Sequence, residues 1–189
     1  MSLVQMKEKR MFEFQPQTIK ILIVDDVPDN VKIAGKILEE VGYDIYIANN
    51  GIDAERIVAT VLFDLILLDI MMPHQDGFTT CTNIRKIDEY TSVPIIFLSA
   101  RIDIDSIISG FELGAVDYIR KPFNFQELKS RVKTHTELRF YRQILEMKNV
   151  QLERALVKLE EIARTDDLTG LYNRREMRRL LDYEIERAK

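Results

Sequence analysis

Short apolar runs recur along the first part of the chain, separated by stretches long enough to form helices. The runs share a high content of isoleucine, valine and leucine, and they are Ile19–Val24, Leu65–Leu68, Ile95–Leu98 and Val116–Ile119. Runs of this kind are typical of strands that a parallel sheet buries on both faces. The pattern predicts strands at 19–24, 44–48, 64–69, 93–98 and 115–119. The intervening segments predict helices at 29–41, 51–61, 76–88 and 103–113.

Polar residues directly follow four of these predicted strands. They are Asp25 and Asp26 after the first strand, Asp69 at the end of the third, Ser99 after the fourth, and Arg120-Lys121-Pro122 after the fifth. Five strands alternating with helices favour an α/β fold with a doubly wound parallel sheet of flavodoxin-like order. Ligands of such sheets bind just beyond the carboxyl ends of the strands. We therefore expect three carboxylates, a hydroxyl and an ammonium to converge on one crevice.

These residue types suit a phosphate group and a divalent cation. Three neighbouring carboxylates repel one another, and one of them stays protonated unless a cation neutralises the set. Mg²⁺ fits because it prefers oxygen ligands. A lysine supplies a point charge for a phosphoryl oxygen, and a carboxylate can act as a nucleophile that forms an acyl phosphate. The alternative is that each aspartate only caps the helix that follows it.

Four motifs resemble a response-regulator receiver domain, the phosphorylated partner of a sensor histidine kinase in bacterial two-component signalling. The motifs are Ile-Leu-Ile-Val-Asp-Asp-Val-Pro-Asp-Asn at 21–30, Leu-Leu-Asp-Ile-Met-Met-Pro at 67–73 followed by Asp76-Gly77, Leu-Ser-Ala at 98–100, and Asp-Tyr-Ile-Arg-Lys-Pro-Phe at 117–123. They occur in the order of that family, and together they are highly specific. The resemblance covers residues 19–134.

The resemblance implies a role for each acidic residue. Asp69 would be the phosphoacceptor. Asp26 and Asp69 would bind Mg²⁺ directly, together with the backbone carbonyl of Met71. Asp25 would act largely through a metal-bound water. Met71 and Met72 depart from many relatives, which carry polar side chains at these positions that can tune dephosphorylation.

The remaining motif residues would act on the phosphoryl group. By the same resemblance, Lys121 would pair with that group, and Ser99 would donate its hydroxyl to it. Tyr118 would be an aromatic switch that turns inward when Ser99 moves. The bond from Lys121 to Pro122 is expected to be cis, as in the family.

The last predicted helix does not stop at the end of the receiver. No glycine or proline occurs between Pro122 and Gly170, so a helix is expected over about 124–163. Leucines recur at every seventh position, namely Leu138, Leu145, Leu152 and Leu159. A heptad seam of this kind favours a parallel coiled coil, and we expect a homodimer through the receiver and helix 124–163. The leucines fit either d or a positions, and a helix folded back on its own receiver is the alternative.

The end of the chain carries a second resemblance. The segment Thr-Asp-Asp-Leu-Thr-Gly-Leu-Tyr-Asn-Arg-Arg at 165–175 is similar to the start of a GGDEF domain, the diguanylate cyclase module. The signature loop of that family is missing from these residues. The expected organisation is therefore a tail at 1–18, a receiver at 19–134, a signalling helix at 135–164 and a truncated GGDEF start at 165–189. The longer parent protein would make cyclic di-GMP from GTP, whereas this chain would not be an enzyme.

Composition restricts partners and location. The net charge of −4 and the lack of a basic stripe argue against nucleic-acid binding. Cys81 is the single cysteine and cannot form an internal disulfide, and no apolar run is long enough to span a membrane, so a cytoplasmic protein is expected. The expected partner is a sensor histidine kinase or a phosphotransfer protein.

Two rival functions come from other classes. A haloacid-dehalogenase-type phosphatase also combines an aspartate nucleophile with Mg²⁺, but it needs an Asp-x-Asp pair on its first strand, whereas Asp25 and Asp26 are adjacent. A dimerisation module that works without phosphorylation would leave the acidic pocket unused, and a phosphorylation assay separates it from a working receiver.

Overall fold

Five short strands, three of which are almost entirely buried, organise the first part of the chain. The computed structural model describes residues 14–100, 104–166, 169 and 171–187. The strands are β1 Lys20–Val24, β2 Asp44–Ala48, β3 Leu65–Asp69, β4 Ile95–Ser99 and β5 Asp117–Arg120. They form one parallel sheet in the order β2-β1-β3-β4-β5, which confirms the predicted doubly wound α/β fold.

Helices cover both faces of this sheet. They are α1 Pro28–Glu39, α2 Gly51–Val58, α3 Gly77–Arg85, α4 Ile104–Glu112, the long α5 Phe125–Arg164, and α6 Arg174–Arg187. The predicted elements agree with these bounds within three residues at every end. The uninterrupted helix α5 also confirms that the last helix continues beyond the receiver.

Alternation along each strand divides the core into two layers. Leu22 and Val24 of β1 point to one side of the sheet, whereas Ile21 and Ile23 point to the other, and all four are fully buried. Successive side chains of a strand point to opposite faces, so an unbroken apolar run supplies both layers at once. The second layer also contains the start of α5, through Leu128.

The end of α3 differs from the prediction. The helix ends at Arg85 rather than at residue 88, and a short 3-10 turn follows at Asp88–Tyr90. The guanidinium of Arg85 donates hydrogen bonds to the carbonyls of Tyr90, Val93 (2.8 Å) and Gly114 (2.7 Å). These bonds fold the chain back after the helix, and one of the three acceptors, Gly114, lies 29 residues away in sequence.

The described part of the chain begins at Phe14, within the segment predicted as a tail. Residues 1–13 of the predicted tail lie outside the described part, but Phe14 packs against the second core layer. Its ring lies edge-on to Phe140 of α5, with 5.6 Å between ring centroids. The segment Pro16–Thr18 then forms a 3-10 turn that leads into β1. An aromatic side chain at position 14 therefore joins the fold before the predicted start at 19.

The chain divides into two compact units, one ending at Tyr141 and the other beginning at Arg142. Within the second unit, Asn173 joins the ends of two helices. Its side-chain amide donates to the carbonyl of Ala163 at 2.6 Å, and its side-chain oxygen accepts from the backbone nitrogen of Glu176 at 3.0 Å. No helix among the described residues is long and apolar enough to cross a membrane.

Candidate metal and phosphoacceptor site

Strand register brings the predicted site residues to one edge of the sheet. Strands β1 and β3 pair in parallel up to their ends, so Asp25 and Asp69 lie side by side. Ser99 ends the neighbouring strand β4, and its carbonyl accepts a 2.8 Å hydrogen bond from the backbone nitrogen of Lys121. Residues distant in sequence therefore meet because each one follows a buried strand.

A lysine lies between two of the carboxylates. The Nζ atom of Lys121 is 2.6 Å from Oδ2 of Asp25 and 2.6 Å from Oδ2 of Asp69. Asp25 and Asp69 are buried, whereas Asp26 is partly exposed. Each of the three aspartates offers a carboxylate oxygen within 4.8 Å of the other two. One ammonium thus faces three acidic side chains, and the site carries an excess of negative charge.

Burial and the surrounding charges act together on the pKa of Asp69. Burial raises the pKa of Asp69, and the nearby charge of Asp25 raises it further. The hydrogen bond and the charge of Lys121 lower this pKa, as does the backbone N–H of Met71, but they offset burial only in part. The carboxylate would be more readily ionised if a second cation entered the site.

The three carboxylates fit a magnesium ion. At a bond length of about 2.1 Å, two oxygens on opposite sides of Mg²⁺ lie about 4.2 Å apart. The oxygens of Asp25, Asp26 and Asp69 are already within 4.8 Å of one another, so small side-chain rotations would let them share one ion. An all-oxygen donor set is also the one that this cation prefers.

Two hydrogen-bond donors with no predicted role in the site fix the orientation of the Asp25 carboxylate. Its Oδ1 accepts hydrogen bonds from the backbone nitrogen of Val27 at 3.0 Å and from Nδ2 of Asn30 at 3.1 Å. Its Oδ2 is left for Lys121 or for a cation. The position of Asn30 in the first turn of α1, just after the paired aspartates, was the available sequence signal.

The backbone passes very close to itself after Asp69. A Cβ atom at Gly77 would lie 2.3 Å from the carbonyl oxygen of Asp69, so this position has no room for a side chain. The backbone nitrogen of Gly77 donates to the carbonyl of Ile70 at 2.9 Å, which closes the loop between β3 and α3. Met71 lies within this loop, and its N–H is 3.3 Å from Oδ1 of Asp69. The metal-binding role of the Met71 carbonyl stays a prediction.

The two predicted switch residues are both buried. Ser99 lies at the end of β4 beside the acidic cluster. Tyr118 points inward, and its hydroxyl donates to the carbonyl of Ile107 at 3.2 Å. A Cβ atom on Gly110 would lie 1.6 Å from this hydroxyl oxygen, so glycine makes the space that the tyrosine occupies. The peptide bond between Lys121 and Pro122 is cis, as expected.

The sheet brings three carboxylates, a hydroxyl and a lysine to the carboxyl ends of its parallel strands, where α/β domains of this kind bind their ligands. A family model described as "Response regulator receiver domain" matches residues 21–133. The chain belongs to this family, and its receiver is part of a two-component signalling system.

Curated relatives agree with this assignment. The chain is 39% identical over 114 residues to the DNA-binding dual master transcriptional regulator RpaA of Synechocystis, which covers 60% of the chain and 47% of the relative. It is 38% identical over 152 residues to a probable cyclic di-GMP phosphodiesterase of Vibrio cholerae, which covers 79% of the chain and 34% of that protein. The chain therefore spans less than half of these relatives.

Solved structures of receivers resemble the chain with the same topology. The chemotaxis protein CheY4 of Vibrio cholerae superposes with a TM-score of 0.60 at 28% identity, covering 61% of the chain and 97% of CheY4. The receiver domain of the sensor histidine kinase PA1611 of Pseudomonas aeruginosa gives a TM-score of 0.59 at 30% identity, covering 63% of the chain and 98% of that domain. That receiver was solved with a magnesium ion coordinated in its active-site cleft.

Proposed function

We propose that Asp69 accepts a phosphoryl group from a phosphohistidine of a sensor kinase or a phosphotransfer protein. The observation that carries this proposal is the pairing of one lysine with two buried carboxylates at the edge of the sheet, beside a third. This arrangement is costly without a ligand, since three acids share one ammonium. Such strained charge clusters are characteristic of functional sites.

The transfer follows from the groups present. A carboxylate oxygen of Asp69 attacks phosphorus, and the new O–P bond forms as the P–N bond of the donor breaks. The bonding pair stays with the imidazole, which takes up a proton. Mg²⁺, held by Asp26 and Asp69 with help from Asp25, would neutralise the phosphoryl oxygens. The amine of Lys121 would then move from the carboxylates to a phosphoryl oxygen.

Acetyl phosphate with Mg²⁺ tests the chemistry without the kinase. The wild-type chain should gain one phosphoryl group by intact mass, and Asp69→Asn should abolish this gain because amide oxygen is a poor nucleophile. Asp44→Asn is the matched control, since Asp44 is exposed on β2 and should leave labelling unchanged. Persistent labelling of the Asp69→Asn variant would refute the assignment.

Removing the side chain of Lys121 distinguishes metal binding from the response to the phosphoryl group. The Nζ of Lys121 occupies the space between Asp25 and Asp69 and competes with any other cation there. Lys121→Ala should therefore leave Mg²⁺ binding intact or tighter, measured by calorimetry, while it weakens the conformational response to phosphorylation. Loss of Mg²⁺ binding in this variant would mean that the lysine helps to hold the metal site.

We further propose that phosphorylation acts through Ser99 and Tyr118 on a homodimer. Helix α5 has leucines at a heptad spacing, and those at 138, 145, 152 and 159 are all exposed in the single chain. A second copy in parallel would cover this seam. Asn149, Arg142 and Lys148 interrupt the second column of either heptad frame, which keeps pairing weak enough for the receiver to bias it.

Sedimentation measures whether the leucine seam of α5 holds the dimer together. Leu145→Asp combined with Leu152→Asp should shift the chain toward monomer without reducing phosphorylation. Val150→Asp with Val157→Asp is a matched control, because these exposed valines have the same spacing but lie off the seam in both frames. A leucine double variant that dimerises as well as the control would place the contact on the receiver and not on the seam.

The third part of the proposal concerns the activity of the output domain in the longer parent protein. The motif at 165–175 resembles a GGDEF start, which suggests that the parent protein makes cyclic di-GMP from GTP in the cytoplasm. The relative that matches 152 residues is a probable cyclic di-GMP phosphodiesterase, so hydrolysis of the same nucleotide is the second candidate. Incubating the longer parent protein with GTP and, separately, with cyclic di-GMP distinguishes synthesis from hydrolysis. The 189-residue chain should do neither.

A further inference from the structure

A strained turn lies in the loop that connects the phosphoacceptor strand to α3. His74 adopts a φ of +67°, which is uncommon for a residue with a side chain. The backbone nitrogen of Gln75 donates to the carbonyl of Pro73 at 2.8 Å, so these three residues form a γ-turn. A γ-turn with positive central φ is rare and strained. Such a turn persists only where its surroundings hold it.

The side chain of Gln75 supplies that hold. Its Nε2 donates to Oε1 of Glu55 on α2 at 2.7 Å and lies 2.9 Å from Oγ1 of Thr80 on α3. The same carboxylate oxygen of Glu55 accepts a hydrogen bond from Nδ2 of Asn83 at 2.8 Å. Gln75 thereby fastens the loop to the facing sides of two helices. We call Glu55, Gln75 and Thr80 the loop clamp.

The backbone of α2 packs closely against the polar atoms of the loop clamp. A Cβ atom on Gly51 at the start of α2 would lie 2.1 Å from Oγ1 of Thr80 and 2.8 Å from Nε2 of Gln75. The first turn of α2 therefore approaches the loop so closely that only glycine fits. Thr80 itself is fully buried, and its hydroxyl donates to the carbonyl of Asp76 at 2.8 Å.

The clamped loop is continuous with the acidic site. It starts at Asp69, contains Met71 and closes where Gly77 bonds Ile70. Movement of the turn would therefore be passed to the carboxylate of Asp69 and to the backbone at Met71. Residues that orient metal ligands in this indirect way commonly change metal affinity by about 10–100-fold when they are lost.

We propose that Gln75, held by Glu55, is a positioning residue that sets the Mg²⁺ affinity of the site. It touches neither metal nor phosphate, and it acts by keeping the strained turn, and with it Asp69 and Met71, in place. This inference rests on the proposed Mg²⁺-dependent phosphoacceptor function. Glu55 contributes as a hydrogen-bond acceptor and not as a charge.

Calorimetric titration of the full chain with MgCl₂ alone is the test. Gln75→Ala should bind Mg²⁺ about tenfold more weakly than the wild type. Asn83→Ala is the matched control, because it removes a hydrogen bond to the same oxygen of Glu55 but leaves the loop fastened. Asn83→Ala should keep Mg²⁺ affinity within about twofold of the wild type, while its thermal stability falls by as much as that of Gln75→Ala.

Two variants of Glu55 separate position from charge. Glu55→Gln keeps an acceptor oxygen for Gln75 and should retain near wild-type Mg²⁺ affinity. Glu55→Ala should lose about as much affinity as Gln75→Ala. Equal losses in Glu55→Gln and Glu55→Ala would show that the charge of Glu55 attracts the cation, and would overturn the positioning role.

Amide exchange gives a readout that does not depend on the metal. The N–H of Gly77, bonded to Ile70, should exchange faster in Gln75→Ala than in Asn83→Ala. Wild-type Mg²⁺ affinity in Gln75→Ala overturns this inference and leaves the phosphoacceptor function standing. Absence of Mg²⁺ binding by the wild-type chain overturns both.

Discussion

The unit that ends at Tyr141 and the unit that begins at Arg142 use leucine in opposite ways. Leu65, Leu67 and Leu68 of β3 are fully buried in the receiver. In the second unit, Leu145, Leu152 and Leu159 of α5 are 61%, 59% and 62% exposed. The residue type is the same, but only the first unit contains enough facing apolar surface to cover it.

The two units are therefore stabilised in different ways. A sheet covered by helices on both faces completes its own core, so the apolar residues of β1, β3 and β4 are buried without a partner. A helix with an exposed heptad seam leaves apolar surface that a second copy can cover. Under the proposed function, the receiver holds the site and the second unit reports its state.

Shortening one leucine in each unit would sharpen this comparison most. Leu67→Ala should reduce the free energy of unfolding by about 2–5 kcal/mol, because it leaves a cavity in a packed core. Leu152→Ala should change it by less than about 0.5 kcal/mol in the monomer, since most of that side chain is already in water. Urea unfolding, at a protein concentration too low for dimerisation, measures the change in the free energy of unfolding for both variants. A loss above 1 kcal/mol for Leu152→Ala would place this leucine in a core of its own.

Enlarging a residue in each unit has the next largest expected effect. Gly110→Ala would put a methyl group on the hydroxyl of Tyr118 and should cost about 1–3 kcal/mol. Ala155→Leu, at an exposed position of α5, should be nearly neutral in the monomer.

A double-variant cycle identifies the cause of the Gly110→Ala penalty. Adding Tyr118→Ala should remove most of that penalty, because the clash partner is gone. An undiminished penalty in the double variant would mean that the methyl group disturbs α4 itself and not the tyrosine.

Breaking one ion pair in each unit should have the smallest effect. Asp117 accepts hydrogen bonds from Arg131 at 2.6 and 2.8 Å and contacts Nε2 of His135 at 3.1 Å. Burial raises the pKa of Asp117, but the bonds from Arg131, from the backbone N–H of Tyr118 and from His135 outweigh burial and lower it. By contrast, Arg142 and Glu146 form an exposed pair.

The pH dependence of the Asp117 effect has a defined sign. A folded pKa below the unfolded value near 3.8 stabilises the fold above that pH, and the stabilisation is lost as pH falls further. Asp117→Asn should therefore cost stability at pH 6 and lose its effect toward pH 3, measured by urea unfolding. Glu146→Gln should have little effect at either pH. A cost for Asp117→Asn that is unchanged at pH 3 would show that packing, and not charge, makes the interaction.

Local patterns were enough to predict most of the fold. Buried strands are short apolar runs, and each carries its signal within a few residues. The site residues were predictable for the same reason, because Asp25, Asp69 and Ser99 each come directly at the end of such a run. Parallel strands then bring these ends to one edge. The uninterrupted stretch after Pro122 likewise predicted helix α5 without any knowledge of packing.

Contacts between distant segments decided the rest. Three features each depend on a residue far away in sequence. They are the contact of Phe14 with Phe140, the bond from Arg85 to Gly114 after α3, and the bond from Gln75 to Glu55. No local pattern marks Gln75 as a clamp, since a glutamine in a polar loop is ordinarily solvated. Local sequence alone therefore specifies which helices and strands form and which residues lie at their ends. The side chains that hold the ends of these elements in place are specified by the folded structure, because hydrogen bonds and packing depend on distance in space and not along the chain.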